Sequence, residues 1–427
     1  MNNKKIIFSL SLLVFVAVLS VSGVNSKTKP YYSGDAIIYN GNLIVGSTNM
    51  GVAELFKLQG KNLIKAAEIK SLATSQSGDK DDFYDLALSE ESNKLFIYLV
   101  DGRYIYKYDI SDLAQPSLVD KIKDNSWDYF LAIDKIGDKI ITMGAKGVKV
   151  WNKDEQIINS YSLTNKKHPY NINYNDNSDY IIDVDNNVLK IFNKNSRSFV
   201  SQTAIQSEED HNRKSFNDLA LGRLYLADDQ ALKMYDLNGS LITSFKHIST
   251  RGYDVDGQAD KNYLYFTDGY GVVKFNKDNL KPLAWTYTTN LAVNNGWAMG
   301  LKVLNQNHKD KLVVFNNSSI IVLDENLKLI SYIVATEADK QPQEELFLNL
   351  DKNRAAANSL ISLHGGGYAV REELIITFAN QVYSAKTDNI GRFTKIITVP
   401  SVLPVKTDIK VVGKYSGQSY SIGFAIE

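Results

Sequence analysis

One four-part pattern recurs from Tyr31 into the 330s, and it constrains the fold of this 427-residue chain more than anything else in it. The second stretch of each copy is the easiest to follow: Leu43-Ile44-Val45, Leu95-Phe96-Ile97-Tyr98, Ile140-Ile141-Thr142, Tyr180-Ile181-Ile182, Leu224-Tyr225-Leu226, Leu264-Tyr265-Phe266 and Leu312-Val313-Val314. Short β-branched and aromatic runs of this kind read as strands. Their spacing of about 40 to 50 residues is that of a four-stranded blade rather than of a helical repeat. The third stretch shows the kinship of the units more plainly, as in Val148-Lys149-Val150-Trp151-Asn152, Leu189-Lys190-Ile191-Phe192-Asn193, Leu232-Lys233-Met234-Tyr235-Asp236 and Val272-Val273-Lys274-Phe275-Asn276. Turn residues stand where hairpins need positive φ: Asn40-Gly41, Asp101-Gly102, Asn186-Asn187, Asn238-Gly239 and Asp268-Gly269.

A lone four-stranded sheet cannot bury both of its faces. Sheets packed radially around an axis can, and closing the circle removes the exposed ends. The pattern therefore predicts an all-β chain whose main body, residues 31–338, is a seven-bladed β-propeller, with an error of about one blade where the ring closes. Residues 339–345 read as a linker, and residues 346–427 as a second domain. There strands resume without the repeat, turns come every eight to twelve residues, and an apolar strand closes the chain, as in an immunoglobulin-like β-sandwich.

Two resemblances accompany this reading. The segment Tyr106-Lys107-Tyr108-Asp109-Ile110-Ser111-Asp112, followed by Pro116-Ser117-Leu118-Val119, resembles the extracellular LVIVD-type propeller repeat, and the other units are similar to WD-like or quinoprotein-like repeats. In the tail, Ser359 to Tyr368 with its Gly365-Gly366-Gly367, the strand Glu373 to Phe378, Thr387-Asp388-Asn389-Ile390-Gly391-Arg392-Phe393, Val399-Pro400 and Val411 to Gly417 together resemble surface immunoglobulin-like domains of IPT/TIG type. That resemblance implies a spacer or adhesion module.

The N-terminus has the layout of a secretory signal peptide over residues 1–26: Lys4 and Lys5, an apolar run from Ile6 to Val21, then small residues. No later segment approaches the length of a transmembrane helix, so the mature chain is expected to be secreted or extracytoplasmic, in a prokaryotic cell envelope, with no membrane span. The absence of cysteine excludes thiolate chemistry and disulfides. Lys plus Arg equals Asp plus Glu at 48 each, which gives no field for nucleic acid.

Motifs for catalysis are missing: there is no nucleophile elbow, no zinc-protease helix and no phosphate loop, and the five histidines are scattered singly. No cofactor is implied. What does recur is an aromatic beside an acid or amide at the start of the innermost strands: Tyr84-Asp85, Trp127-Asp128, Tyr170-Asn171, Asn217-Asp218 behind Phe216, Tyr253-Asp254 and Trp297. These residues are expected near the mouth of the central channel, where aromatic faces stack on sugars or cations and the polar groups accept hydrogen bonds. Packing of the aromatics between blades, with the acids capping turns, fits the same residues. A second candidate is a calcium site at Asp254, Asp256 and Asp260, which alternate around a glycine turn but lack the bidentate Glu of a complete loop.

The expected function is a cell-surface binding or adhesion protein whose partner is an extracellular protein or polysaccharide. Two alternatives stay open. One is a lyase or glycosidase using two of Asp85, Asp128, Asp218 and Asp254 as an acid–base pair; the other is a structural envelope component that assembles with itself.

Overall fold

The structure is a computed structural model that describes residues 33–49, 52–70, 83–123, 130–144, 147–162, 172–174, 180–185, 188–204, 215–218, 221–227, 231–246, 254–258, 260–269, 271–287, 298–316, 319–334, 346–368, 372–388, 391–414 and 417–427. Among them every element is a strand, and no helix is long and apolar enough to cross a membrane. The first part forms seven consecutive four-stranded antiparallel sheets, each in simple up-and-down order. They span Ser33–Lys70, Asp85–Lys123, Phe130–Ser162, Ile172–Ala204, Ser215–Lys246, Asp254–Tyr287 and Ala298–Val334, and are numbered 1 to 7 below.

The sheets pack through their first strands. Contacts run from sheet 1 to 2, 2 to 3, 4 to 5, 5 to 6, 6 to 7 and back from 7 to 1, while Ala132 of sheet 3 and Phe192 of sheet 4 share one apolar cluster. This is a β-propeller arrangement, and its core is divided between the sheets. Leu86 and Leu88 face sheet 1 in one cluster, whereas Ala87 of the same strand faces sheet 3 in another. The alternation of a strand's side chains is what lets it serve both neighbours. Closure between the last and first sheets is tight: Gly34 lies where any Cβ would collide with the ring of Phe315, and Ser331 Oγ accepts from the Leu63 amide at 2.8 Å.

One irregularity repeats in every sheet. The register between the third and fourth strands shifts between Leu55 and Phe56, Lys107 and Tyr108, Val150 and Trp151, Ile191 and Phe192, Met234 and Tyr235, Lys274 and Phe275, and Val322 and Leu323. A β-bulge bends a strand and raises its twist. The residue after each shift is a buried large apolar side chain, which is why an aromatic recurs there in the sequence. The Asp or Asn that follows it in sheets 2 to 7 has a local task. Asn152 Oδ1 accepts from the amides of Asp154 and Gln156, Asp236 Oδ1 from Asn238 and Ser240, and Asp324 Oδ1 from Asn326 and Lys328. Asx turns of this type lead the third strand into the fourth.

The tail makes two sheets. One pairs Phe347–Leu350, Leu360–Gly366 and Phe393–Thr398; the other orders Arg354–Ala355, Ser419–Ile426, Val405–Gly413, Glu373–Phe378 and Gln381–Lys386. Arg354–Ala355 runs parallel to the last strand, so the chain's first passage in the tail is divided between the two sheets. Both sheets contribute to one apolar core that includes Leu348, Ile361, Leu363, Ile376, Phe378, Ile409, Val411 and Phe424.

Candidate functional site

Within each sheet the first strand pairs on one side, with the second strand, and on its other side backbone bonds to the preceding sheet occur at Phe130, which donates to the Gly102 carbonyl, and at Ala298, which donates to the Gly269 carbonyl. That other edge presents backbone N–H groups that need acceptors wherever they are buried. Carboxylates of the preceding sheet supply several of them. Asp35 accepts from Leu88 at 2.9 Å, Asp85 from Ile133 at 3.0 Å, Asp254 from Leu301 at 2.6 Å and Asp256 from Val303 at 2.7 Å. The remaining oxygens are engaged as well: Ser33 Oγ donates to Asp85, the Val255 amide donates to Asp254, and the Gly257 amide donates to Asp256.

Registers locate these acids in tiers. In every sheet, the third-strand residue just before the bulge pairs through the second strand with one first-strand residue. Those residues are Asp35, Ala87, Asp134, Asn173, Phe216, Asp256 and Lys302 for sheets 1 to 7. Asp85 and Asp254 stand two residues earlier. The Lys302 ammonium meets Asp35 Oδ1 at 2.9 Å, and the attraction of Asp35, reinforced by Asp256 and Asp134 against the opposing effect of burial, raises its pKa well above the ordinary lysine value. Burial pushes the Asp256 carboxyl up to about 6, with Asp254 adding to the rise and Lys302 and the amides of Val303 and Gly257 opposing it. Lys302 of sheet 7 is thus paired with Asp35 of sheet 1, on the tier that also holds Asp134 of sheet 3 and Asp256 of sheet 6.

The residues expected at the channel mouth divide into three groups. Tyr84 and Asp85 stand together at the start of the sheet 2 first strand, with Tyr84 40% exposed, and Asp254 holds the equivalent level in sheet 6. Asn217 and Asp218 do not join them: Asp218 pairs with Arg223 at the far end of its strand, beside the turn to the second strand. It is buried in an ion pair with Lys277 at 2.6 Å, and Lys277 also donates to the Gln258 carbonyl at 2.6 Å. The physical reason is register. Phe216 belongs to the middle of its strand, where it stacks on Tyr225, so an aromatic–acid pair at this place in the sequence falls four residues from the rim. Trp127, Asp128, Tyr170, Asn171, Tyr253 and Trp297 lie outside the described residues. As for calcium, Asp254 and Asp256 direct both oxygens to backbone amides and Asp260 is exposed in the following turn. Among the described residues no group of three acids or histidines is placed to hold a metal.

Asp35, Asp134 and Lys302 escaped the motif search, because none sits beside an aromatic. It is the bulge register of the third strand, not a neighbouring aromatic, that puts them on one level.

No protein-family model matches the sequence, and no curated protein does. Among solved structures the chain is similar to the dihydro-heme d1 dehydrogenase NirN in complex with DHE. Identity is 13%, the match covers 70% of this chain and 66% of that one, and the TM-score is 0.48. This chain therefore spans just under two thirds of that structure, and at such identity the similarity carries nothing about function.

Proposed function

We propose that the chain is an exported binding protein of a cell envelope, in which the seven sheets are the blades of one closed propeller and the tail is an immunoglobulin-like module of IPT/TIG type. The propeller serves as the recognition platform for an extracellular protein or polysaccharide, without catalysis. The observation that carries this reading is the aromatic at or just before the start of the first strand in sheets 2, 3, 4, 6 and 7 (Tyr84, Trp127, Tyr170, Tyr253 and Trp297). Of these, Tyr84 is among the described residues, and it is exposed beside Asp85 at the start of the sheet 2 first strand. Rings with neighbouring polar groups suit sugars and peptides.

Occupation of the acids favours binding over the lyase or glycosidase alternative. Asp85 and Asp254 each give one oxygen to an amide of the next sheet and the other to the Ser33 hydroxyl and the Val255 amide respectively, and Asp218 is paired with Lys277 at the other end of its strand. General acid–base work needs carboxyls free to meet substrate. The tail reading is supported by its Greek-key strand order, three strands facing five. A glycan array and an envelope-protein pull-down with the purified protein, repeated for Tyr84→Ala and Trp297→Ala, test the proposal. Binding that weakens at least tenfold in both variants is expected; binding indifferent to both, or turnover of a bound polysaccharide, removes it.

A further inference from the structure

The bulges of the seven sheets leave one unpaired fourth-strand residue each, and all seven are apolar: Ala66, Val119, Ile158, Val200, Ile242, Leu283 and Ile330. Fourth strands lie at the outer margin of the ring, and among the described residues no further strand pairs with their outer edges. Natural edge strands are normally guarded by charges, above all lysine. Sheets 1 and 2 follow that rule, with Lys65, Glu68 and Lys70 in one outer strand and Asp120, Lys121 and Lys123 in the other. Sheets 3 to 7 do not. Across Ile157–Ser162, Ser198–Ala204, Leu241–Lys246, Pro282–Tyr287 and Leu329–Val334 the single charged residue is Lys246. In a chain that is 22% charged, this arc is strongly depleted. On it Ile157, Ile158, Val200, Leu241, Ile242, Leu283 and Leu329 are 39% to 54% exposed.

We propose that this arc carries an interface between copies of the chain, joining propellers side by side through neighbouring outer strands within it. Its charge pattern selects the occupant. An uncharged arc offers nothing to a polyanion, and one lysine is too little for an acidic membrane surface, which amphipathic elements reach with several basic residues. A second arc is its match: apolar residues meet apolar residues, exposed hydroxyls and amides such as Asn159, Ser160, Gln202 and Ser244 pair with their like, and no charge is buried. Lys plus Arg and Asp plus Glu are equal at 48, so copies do not repel one another. A patch that meets itself gives a two-fold interface. The bulges fit this geometry, since they bend the outer strands away from edge-to-edge sheet extension and leave side-chain packing as the mode of contact.

Sedimentation velocity over a concentration series tests the interface, run on the full-length protein and on the form beginning at Lys27, so that association through the apolar run Ile6 to Val21 is separated. Both forms are expected to self-associate, more strongly in sulfate. The triple variant I158K/I242K/L283K is expected to sediment as a monomer with an unchanged circular dichroism spectrum and melting temperature, while V119K in sheet 2 and L403K in the tail associate as the parent does. If the triple variant loses its fold, the milder I158T/I242T/L283T takes its place, with at least a tenfold weaker association expected. A monomeric parent, association confined to the full-length form, or association indifferent to the arc variants overturns the proposal. So does recovery of the parent on neutral phosphatidylcholine vesicles in place of self-association.

Discussion

Asp85 joins two sheets through one side chain, so its removal leaves the Ile133 amide and the Ser33 hydroxyl short of an acceptor. Asp85→Ala is expected to destabilise the protein by about 1–3 kcal/mol in urea unfolding, and Asp85→Asn, which keeps one acceptor oxygen, by less. Gly34 tests closure from the opposite direction. Gly34→Val drives a branched side chain into the ring of the buried Phe315, and overpacking of this sort costs about 1–3 kcal/mol. A variant as stable as the parent in thermal melts would mean that the last and first sheets meet less tightly. Asp256 gives a pH signature. Its folded pKa of about 6 lies above the value of an unfolded Asp, so the unfolded chain gives up its proton first as pH rises. Stability from this group is whole below about pH 4 and lost by about pH 6. Asp256→Asn is expected to flatten that segment of the pH profile.

Turns between third and fourth strands reach back toward the preceding sheet. Leu280 and Leu327, both in left-handed backbone, are buried in clusters with Tyr225 of sheet 5 and Tyr265 of sheet 6. Arg197 lies over Tyr161 of sheet 3 and donates to the Ser160 carbonyl at 2.6 Å. At the same place in sheet 3 stands Glu155, also left-handed, whose carboxyl is pushed up to about 7 by burial and by its hydrogen bond and repulsion with Asp120 of sheet 2. A leucine plug has thus become a titratable contact. Leu280→Ala is expected to cost about 2–5 kcal/mol, the usual loss for an emptied core position. Glu155→Leu acts oppositely: the stability that Glu155 supplies is present below about pH 4 and lost toward pH 7, so the leucine variant should gain on the parent as pH rises through that window in calorimetry.

Across the whole molecule, stability is shared between a ring and a separate core. The ring is knit from sheet to sheet by apolar clusters and carboxylate–amide bonds, and its last sheet is tied to its first by Lys302 and Asp35, Gln306 and the Gly41 carbonyl, and Ser331 and Leu63. The tail draws its core from its own two sheets. Residues 346–427 expressed alone are expected to give a dispersed amide NMR spectrum and a cooperative melt. A collapsed spectrum would show that the tail depends on the ring.

The period of the repeat, the four strands in each unit, their turn residues and the change of pattern in the tail were legible in the sequence, because each rests on local chemistry: alternation along a strand, an Asx that caps its own turn, an aromatic that fills one fixed place. Partnership between sheets was not legible. Whether an acid at the start of a first strand aims at solvent or at the next sheet's amide depends on a register that adjacent residues do not encode. So Asp85 and Asp254 became inter-sheet acceptors, Asp218 fell at the far end of its strand, and Asp35, Asp134, Asp256 and Lys302, at least 46 residues apart in sequence between any two, met at one level. Sequence alone determined the units, since their physics is short-range; tertiary structure decided what the units do to one another, since a hydrogen bond between sheets exists only once both are in place.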